Sequence, residues 1–211
     1  MPTQPVFAVS RWNSNAQLIA SLVQLHYLHY DDTVLDATYG KGVWWKAWHP
    51  GTLWTNDLDP AAQGAAWHED FRKMHWKDGS FDAVAFDPPY KLNGTGSQPD
   101  VRYGVDAYAG WKERHQLIRD GIDECVRVLR PGGILLVKCQ DQVSGGKVRW
   151  QTIEFANHAT AAGCDLVDML HPVGSRPQPA RTRKDGKPSV QQHARRNIST
   201  LLVLRKRKVK K

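Results

Sequence analysis

Hydrophobic positions recur along the chain in two alternating periods. Leu18, Leu22 and Leu25 share a helical face with Ile19 and Val23 beside them, and Asn13 or Ser14 stands where a cap is needed for a helix reaching about Tyr27. Asp31-Asp32 breaks that pattern. Residues 33–38 then read as a short buried strand that runs into Tyr39-Gly40-Lys41-Gly42. A short aromatic helix is expected over 43–48, a turn at His49-Pro50-Gly51, and a second strand over 52–56 ending in Asp57. Pro60 suits the first turn of a helix through Trp67. Residues 81–86 form a third strand, stopped by Asp87-Pro88-Pro89-Tyr90 because consecutive prolines cannot continue a central ladder.

Residues 91–109 are rich in Gly, Asn, Ser and Asp, a loop of the length that is usually functional or mobile. Beyond it, Ile118, Ile122, Cys125 and Leu129 place a helix over 111–129, which Pro131-Gly132-Gly133 is expected to end. A strongly apolar strand follows at 134–139, then a loop at Gly145-Gly146, a helix over 150–162 closed by Gly163, and a strand at 165–170. A basic connection over 174–196 leads to a last strand at 198–204. Alternating strands and helices predict an α/β fold with a largely parallel sheet, and the last two strands, with no helix between them, an antiparallel hairpin.

A chain of 211 residues, 41% of them apolar, suits one domain with a full core. No charge-free run is long enough to cross a bilayer, and residues 1–20 carry no basic segment followed by an apolar one, so a soluble cytoplasmic protein is expected. Three cysteines without metal-ligand spacing read as reduced, buried small hydrophobes; with nine scattered histidines they give no reason to expect a metal. The net charge of +8 is uneven: residues 174–211 hold 13 Lys and Arg against Asp185 alone, while residues 1–173 hold 16 basic and 20 acidic residues. That asymmetry suits a polyanion partner or, for the last seven residues, a solubilising tail.

Gly40-Lys41-Gly42 lies between a strand and a helix, where glycines serve a tight turn or let the backbone approach a ligand. It is no phosphate-binding loop, since no Gly-Lys-Ser/Thr follows. Asp36 precedes it, and Asp57 ends the next strand 21 residues later, where a carboxylate can accept from two ribose hydroxyls. Asp70-Phe71 follows and could meet an adenine ring with a carboxylate, a backbone N–H and an aromatic face.

Asp87-Pro88-Pro89-Tyr90 after an apolar strand, downstream of these residues, resembles the amino-methyltransferases of DNA, which act on adenine N6 or cytosine N4. The resemblance covers about residues 30–140. It implies a Rossmann-like methyltransferase fold, with a mostly parallel seven-stranded sheet and a C-terminal antiparallel hairpin, and S-adenosyl-L-methionine as the cofactor without a metal. Asp36, Thr38, Gly40 and Gly42 match the cofactor loop, Asp57 the ribose acid and Asp70-Phe71 the adenine contact, and Asp87, Pro88, Pro89 and Tyr90 match the catalytic motif. An aromatic amine is a poor nucleophile because its lone pair is delocalised. The Asp87 carboxylate and the Pro88 carbonyl can draw its N–H bonds toward a tetrahedral arrangement, with Tyr90 stacked on a base flipped from the helix. Aspartate at the first position favours adenine, since cytosine enzymes more often carry serine.

The chain departs from full-size members in lacking a large target-recognition domain, and so resembles small bacterial or phage members, expected as monomers in a bacterial cell or phage-infected host. Candidate DNA contacts are the 91–109 loop and, in the basic connection, Arg176, Arg181, Arg183, Lys184, Lys187, Arg195 and Arg196, with Gln178, Gln191, Gln192 and His193 interleaved. A basic loop with no readout role is the alternative. Asn15 is a candidate for the methionine end of the cofactor. Trp44, Trp45 and Trp48 read as core or rim packing rather than base stacking. Two other functions remain open: an RNA guanine or adenine methyltransferase, and a non-catalytic nucleic-acid-binding protein on the same scaffold.

Overall fold

The computed structural model describes residues 12–92, 110–174, 193–194 and 196–208. Residues 93–109 of the Gly-rich loop, the predicted contacts Arg176, Arg181, Arg183, Lys184, Lys187 and Arg195, the three glutamines among them and the chain beyond Lys208 lie outside the described residues.

Helix α1 (Asn15–Gln24) starts at Ser14, whose hydroxyl accepts from the Gln17 N–H. It ends three residues before the expected Tyr27, because His26 turns left-handed (φ 59°) and hydrogen bonds from its N–H to Val23 O and from Tyr27 N–H to Leu22 O close the last turn. Then come β1 (Thr33–Asp36), a 3-10 turn (Val43–Lys46), β2 (Thr52–Thr55), β3 (Phe81–Phe86), α2 (Trp111–Val128), β4 (Leu129–Cys139), a small hairpin of β5 (Gln142–Ser144) and β6 (Lys147–Arg149), α3 (Gln151–Ala161), β7 (Cys164–Leu170) and β8 (Thr200–Lys206). The sheet order is β2-β1-β3-β4-β8-β7, parallel from β2 to β4, with β8 antiparallel to both neighbours. The α/β class and the C-terminal antiparallel hairpin are as expected.

Period-two alternation divides the sheet between two cores. Val34, Ala83, Ala85, Ile134, Leu136, Leu201 and Val203 face α1 and the tryptophans of the 3-10 turn. Leu35, Val84, Phe86, Leu135, Val137, Cys139, Leu202 and Leu204 belong to the core shared with α2 and α3. The three cysteines are free and buried.

Three expectations are corrected. The described sheet has six strands, not seven, and 60–67 is a series of turns rather than a helix. Backbone pairing to β2 here is a one-residue bridge between Asn56 and Trp67, and beyond it the fully buried Asn56 amide holds Glu69: Nδ2 donates to Glu69 O (2.9 Å) and Oδ1 accepts from Glu69 N–H (2.9 Å). Thr55 O accepts from both Ala66 and Trp67 N–H, and the Trp54 and Trp67 rings, 4.7 Å apart, cover this side of β2. Pro131-Gly132-Gly133 does not end α2, which stops at Val128; it is an irregularity inside β4 between the pairs Phe81–Leu129 and Ala83–Ile134. Gly145-Gly146 lies in a loop as expected, and that loop is the turn of the β5–β6 hairpin.

Candidate active site

Because β1, β2, β3 and β4 are parallel neighbours, their C-terminal ends bring Asp36, Asp57, Asp87 and Lys138 to one edge of the sheet. Open α/β sheets bind ligands at that edge. Gly40 and Gly42 are both left-handed (φ 56° and 61°), which bends the chain back after β1. The turn is tied to β2: Gly40 N–H donates to Asp57 Oδ2 (2.7 Å) and Tyr39 N–H to Asn56 O (2.9 Å). Asp57 Oδ1 accepts from Asp59 N–H (2.9 Å), so each oxygen keeps acceptor capacity beyond its one backbone donor.

The consecutive tryptophans of the 3-10 turn each serve a different acid. Trp45 Nε1 donates to Asp36 Oδ2 (2.7 Å), and Trp44 Nε1 to Asp87 Oδ2 (3.1 Å). Both rings are buried, so the expected packing role holds, and the indole N–H groups fix the two carboxylates as well. Thr38 N–H donates to Asp36 Oδ1 (3.1 Å). Burial pushes the Asp36 carboxyl up to about 7, against the lowering effect of these two donors.

Thr38 Oγ1 accepts from Asp87 N–H (2.7 Å), which joins the glycine turn to the Asp87-Pro88-Pro89-Tyr90 segment. Burial also raises the Asp87 carboxyl above its ordinary range, and Lys138 and Trp44 oppose that rise. Lys138 Nζ lies 3.5 Å from Asp87 Oδ2 and donates to Asn15 Oδ1 (2.8 Å). Asp87 Oδ2 is thus held by two donors, while Oδ1 has no donor among the described residues. Sequence reasoning placed Asn15 near the cofactor but missed Lys138. The signal was a lone cation in the apolar run Ile134-Leu135-Leu136-Val137-Lys138-Cys139, with its side chain only 10% exposed.

Backbone direction in the motif is set by Pro88 and Pro89 and by two glutamines that sequence reasoning also passed over. Tyr90 N–H donates to Pro88 O (2.7 Å), and Tyr90 O accepts from Gln142 Nε2 (3.0 Å) and Gln151 Nε2 (2.9 Å). Both glutamines are buried, and Gln151 Nε2 also donates to Gln140 O (2.8 Å). The Tyr90 ring packs partly buried against the main core.

Two predicted contacts sit differently. Phe71 is a core residue, 2% exposed, its ring 5.0 Å edge-on from Phe86, so it offers no aromatic face to a ligand. Asp70 is engaged at both oxygens by Arg72, which holds its carboxyl below the ordinary range. Arg196 is described and stacks on Trp150. Among the described residues no group of three His, Cys, Asp or Glu could hold a metal ion, and no helix is long and apolar enough to cross a membrane.

No protein-family model and no curated protein matches the sequence. Solved structures do match. A Bacillus halodurans protein assigned as a methyltransferase superposes with a TM-score of 0.57 at 17% identity, over 90% of this chain and 99% of its own. The N-methyltransferase NodS of Bradyrhizobium japonicum, solved with S-adenosyl-l-homocysteine, gives 0.54 at 14% identity, over 92% and 88%. The fold is that of the S-adenosylmethionine-dependent methyltransferases. Within this methyltransferase fold the chemistry varies: the [4+2]-cyclase SpnF matches with a TM-score of 0.51 at 14% identity, over 90% of this chain and 81% of its own. Fold alone therefore does not fix the reaction, and the side chains at the sheet edge must.

Proposed function

We propose that the protein transfers a methyl group from S-adenosylmethionine to an exocyclic amine of a DNA base, the 6-amino group of adenine. The observation that carries this reading is the Asp87 carboxylate at the end of β3. Its Oδ2 is fixed by Trp44 and Lys138, and it is followed by a proline-directed carbonyl whose turn is locked through Tyr90.

The residues present suit the cofactor at the glycine turn. Asp57 can accept from ribose hydroxyls while still holding the Gly40 N–H, and Asp36, buried with its oxygens taken by Thr38 and Trp45, keeps the turn in place. When bound, S-adenosylmethionine supplies an electrophilic methyl group on a sulfonium.

The rest is done by the chain's own groups. Asp87 Oδ1 and the remaining lone pair of Pro88 O accept the two N–H bonds of the amine, which turns its lone pair out of conjugation. Burial raises the Asp87 carboxyl above its ordinary range, and the Lys138 ammonium opposes that rise, favouring the ionised form that the acceptor role requires. The proton displaced on methylation can pass to Asp87 and then to solvent. A base in a duplex must leave the stack to reach such a site.

The test is transfer of labelled methyl from S-adenosylmethionine to unmethylated DNA, with digestion to nucleosides to identify the product. N6-methyladenine is expected, and Asp87→Ala should abolish transfer while leaving the melting temperature close to wild type. Methylation of RNA alone, or of no nucleic acid, would overturn the reading.

A further inference from the structure

Arginines on the described surface are mostly answered by carboxylates: Arg72 by Asp70, Arg119 by Glu154, Arg127 by Glu124 and Asp78, Arg130 by Asp82, and Arg207 by Asp165. Arg149 and Arg196 are different. Arg149 Cζ lies 3.8 Å from the centroid of the Trp111 ring and Arg196 Cζ 4.2 Å from that of Trp150. Neither has a carboxylate within ion-pair distance among the described residues, and the Nε of each is buried without a hydrogen-bond partner. The neighbouring acids are committed elsewhere. Asp141 Oδ1 accepts from Thr152 N–H at the start of α3, and Glu154 bridges His115 and Arg119.

Both stacked pairs adjoin the candidate active site. Arg149 is the cross-strand partner of Gln142, and Trp150 immediately precedes Gln151; these are the two glutamines that hold the Tyr90 carbonyl. Gln140 Nε2 donates to Arg196 O (3.4 Å), and the His193 ring meets Gly146 O at the hairpin tip (2.9 Å). Trp150 is 48% exposed. A guanidinium stacked on an indole loses orientational freedom but keeps its outer N–H donors, the arrangement that receives a phosphate. An exposed indole beside it is a stacking platform for a base.

We propose that the β5–β6 hairpin, with Trp111 and Trp150, is the docking surface for the DNA strand that carries the target base. Arg149 and Arg196 take backbone phosphates flanking that base, and the exposed part of Trp150 stacks on a neighbouring one. This rests on the reading of the site as a DNA amine methyltransferase and adds where the strand lies.

The experiment is fluorescence anisotropy with a labelled, adenine-containing single-stranded oligodeoxynucleotide, titrated over sodium chloride concentration. The proteins are wild type, Arg149→Gln/Arg196→Gln, Trp150→Ala and, as a charge control, Lys77→Gln, an exposed position on the segment leading into the opposite end of β3. Two lost phosphate contacts should lower the slope of log K against log salt by about 1.4 and weaken binding at least about tenfold at roughly 0.1 M salt. Trp150→Ala, which removes both the base platform and the ring under Arg196, should weaken binding at least about tenfold with a smaller change in slope than the double arginine variant. Lys77→Gln should match wild type, and S-adenosylmethionine binding by calorimetry should be the same in all four.

A double arginine variant with wild-type affinity and slope, or an equal loss in Lys77→Gln, overturns the docking surface. If such a variant also methylates DNA normally, the proposed function stands without it. Wild-type protein that binds S-adenosylmethionine but neither binds nor methylates DNA sinks both, as does binding to RNA only.

Discussion

Asp87 is under opposing influences: burial favours its neutral form, while the Lys138 ammonium and the Trp44 indole favour the carboxylate. Its proposed role needs the carboxylate, because a protonated acid would offer a donor where two amine protons need acceptors. Lys138→Gln tests the charge alone, since a glutamine amide can still donate to Asn15 Oδ1 and Asp87 Oδ2. Without the ammonium the Asp87 pKa rises further. Activity requires the ionised form, so the acidic limb of the kcat/KM profile should move to higher pH, with the rate recovering as pH increases. A profile that merely drops in height, with its limb unmoved, would mean that Lys138 only supports the fold. At this scale the motif residues were legible because their order and spacing are distinctive. Lys138 was hidden because an apolar strand is read by its majority, and Phe71 was misread because an aromatic next to a functional acid looks the same in sequence whether it faces a ligand or the core.

At the scale of elements, periodicity located every described strand of the main sheet and the three described α-helices to within a few residues. It failed where strand pairing shrinks to a one-residue bridge, as between Asn56 and Trp67, and where a glycine run reads as a stop but serves as an irregularity within a strand, as Gly132-Gly133 does. Composition alone distinguishes neither case. Gly121 shows the same limit in α2. Helix propensity by itself predicts that Gly121→Ala stabilises by about 1 kcal/mol. Here, however, a Cβ would come 2.6 Å from Phe86 Cζ and 2.7 Å from Phe71 Cδ2, two core rings without room to withdraw. Overpacking of that kind typically costs about 1–3 kcal/mol, so the variant should be destabilised overall, with a melting temperature lower by about 2–4 °C for each net kcal/mol. A rise in melting temperature would show that the spacing between α2 and β3 is not set by this glycine.

For the whole molecule, the basic C-terminal fifth is less uniform in role than its composition suggests. Lys206 Nζ donates to Val126 O (2.6 Å) and Leu129 O (2.7 Å), closing the C-terminal end of α2, where a cation also complements the helix dipole. Arg207 pairs with Asp165 and donates to Thr160 O (2.8 Å) and Cys164 O (2.9 Å), tying the end of α3 to the start of β7. These two cations are committed to the fold, whereas Arg149, from a body that is acidic on balance, is not; the sum of charge along the chain misplaces both. Two shortened chains separate the roles. Ending at Lys208 keeps every bond just named, so its melting temperature should stay within about 2 °C of the full chain. Ending at Leu204 removes Lys206, Arg207 and the last pairs of β8, Ile134 and Asp165 with Arg205 and Cys164 with Lys206, so the loss should reach several kcal/mol. If the chain ending at Lys208 melts as low as the one ending at Leu204, the last three residues are part of the folded unit; if both melt as the full chain does, the Lys206 cap and the Arg207 clamp carry no stability.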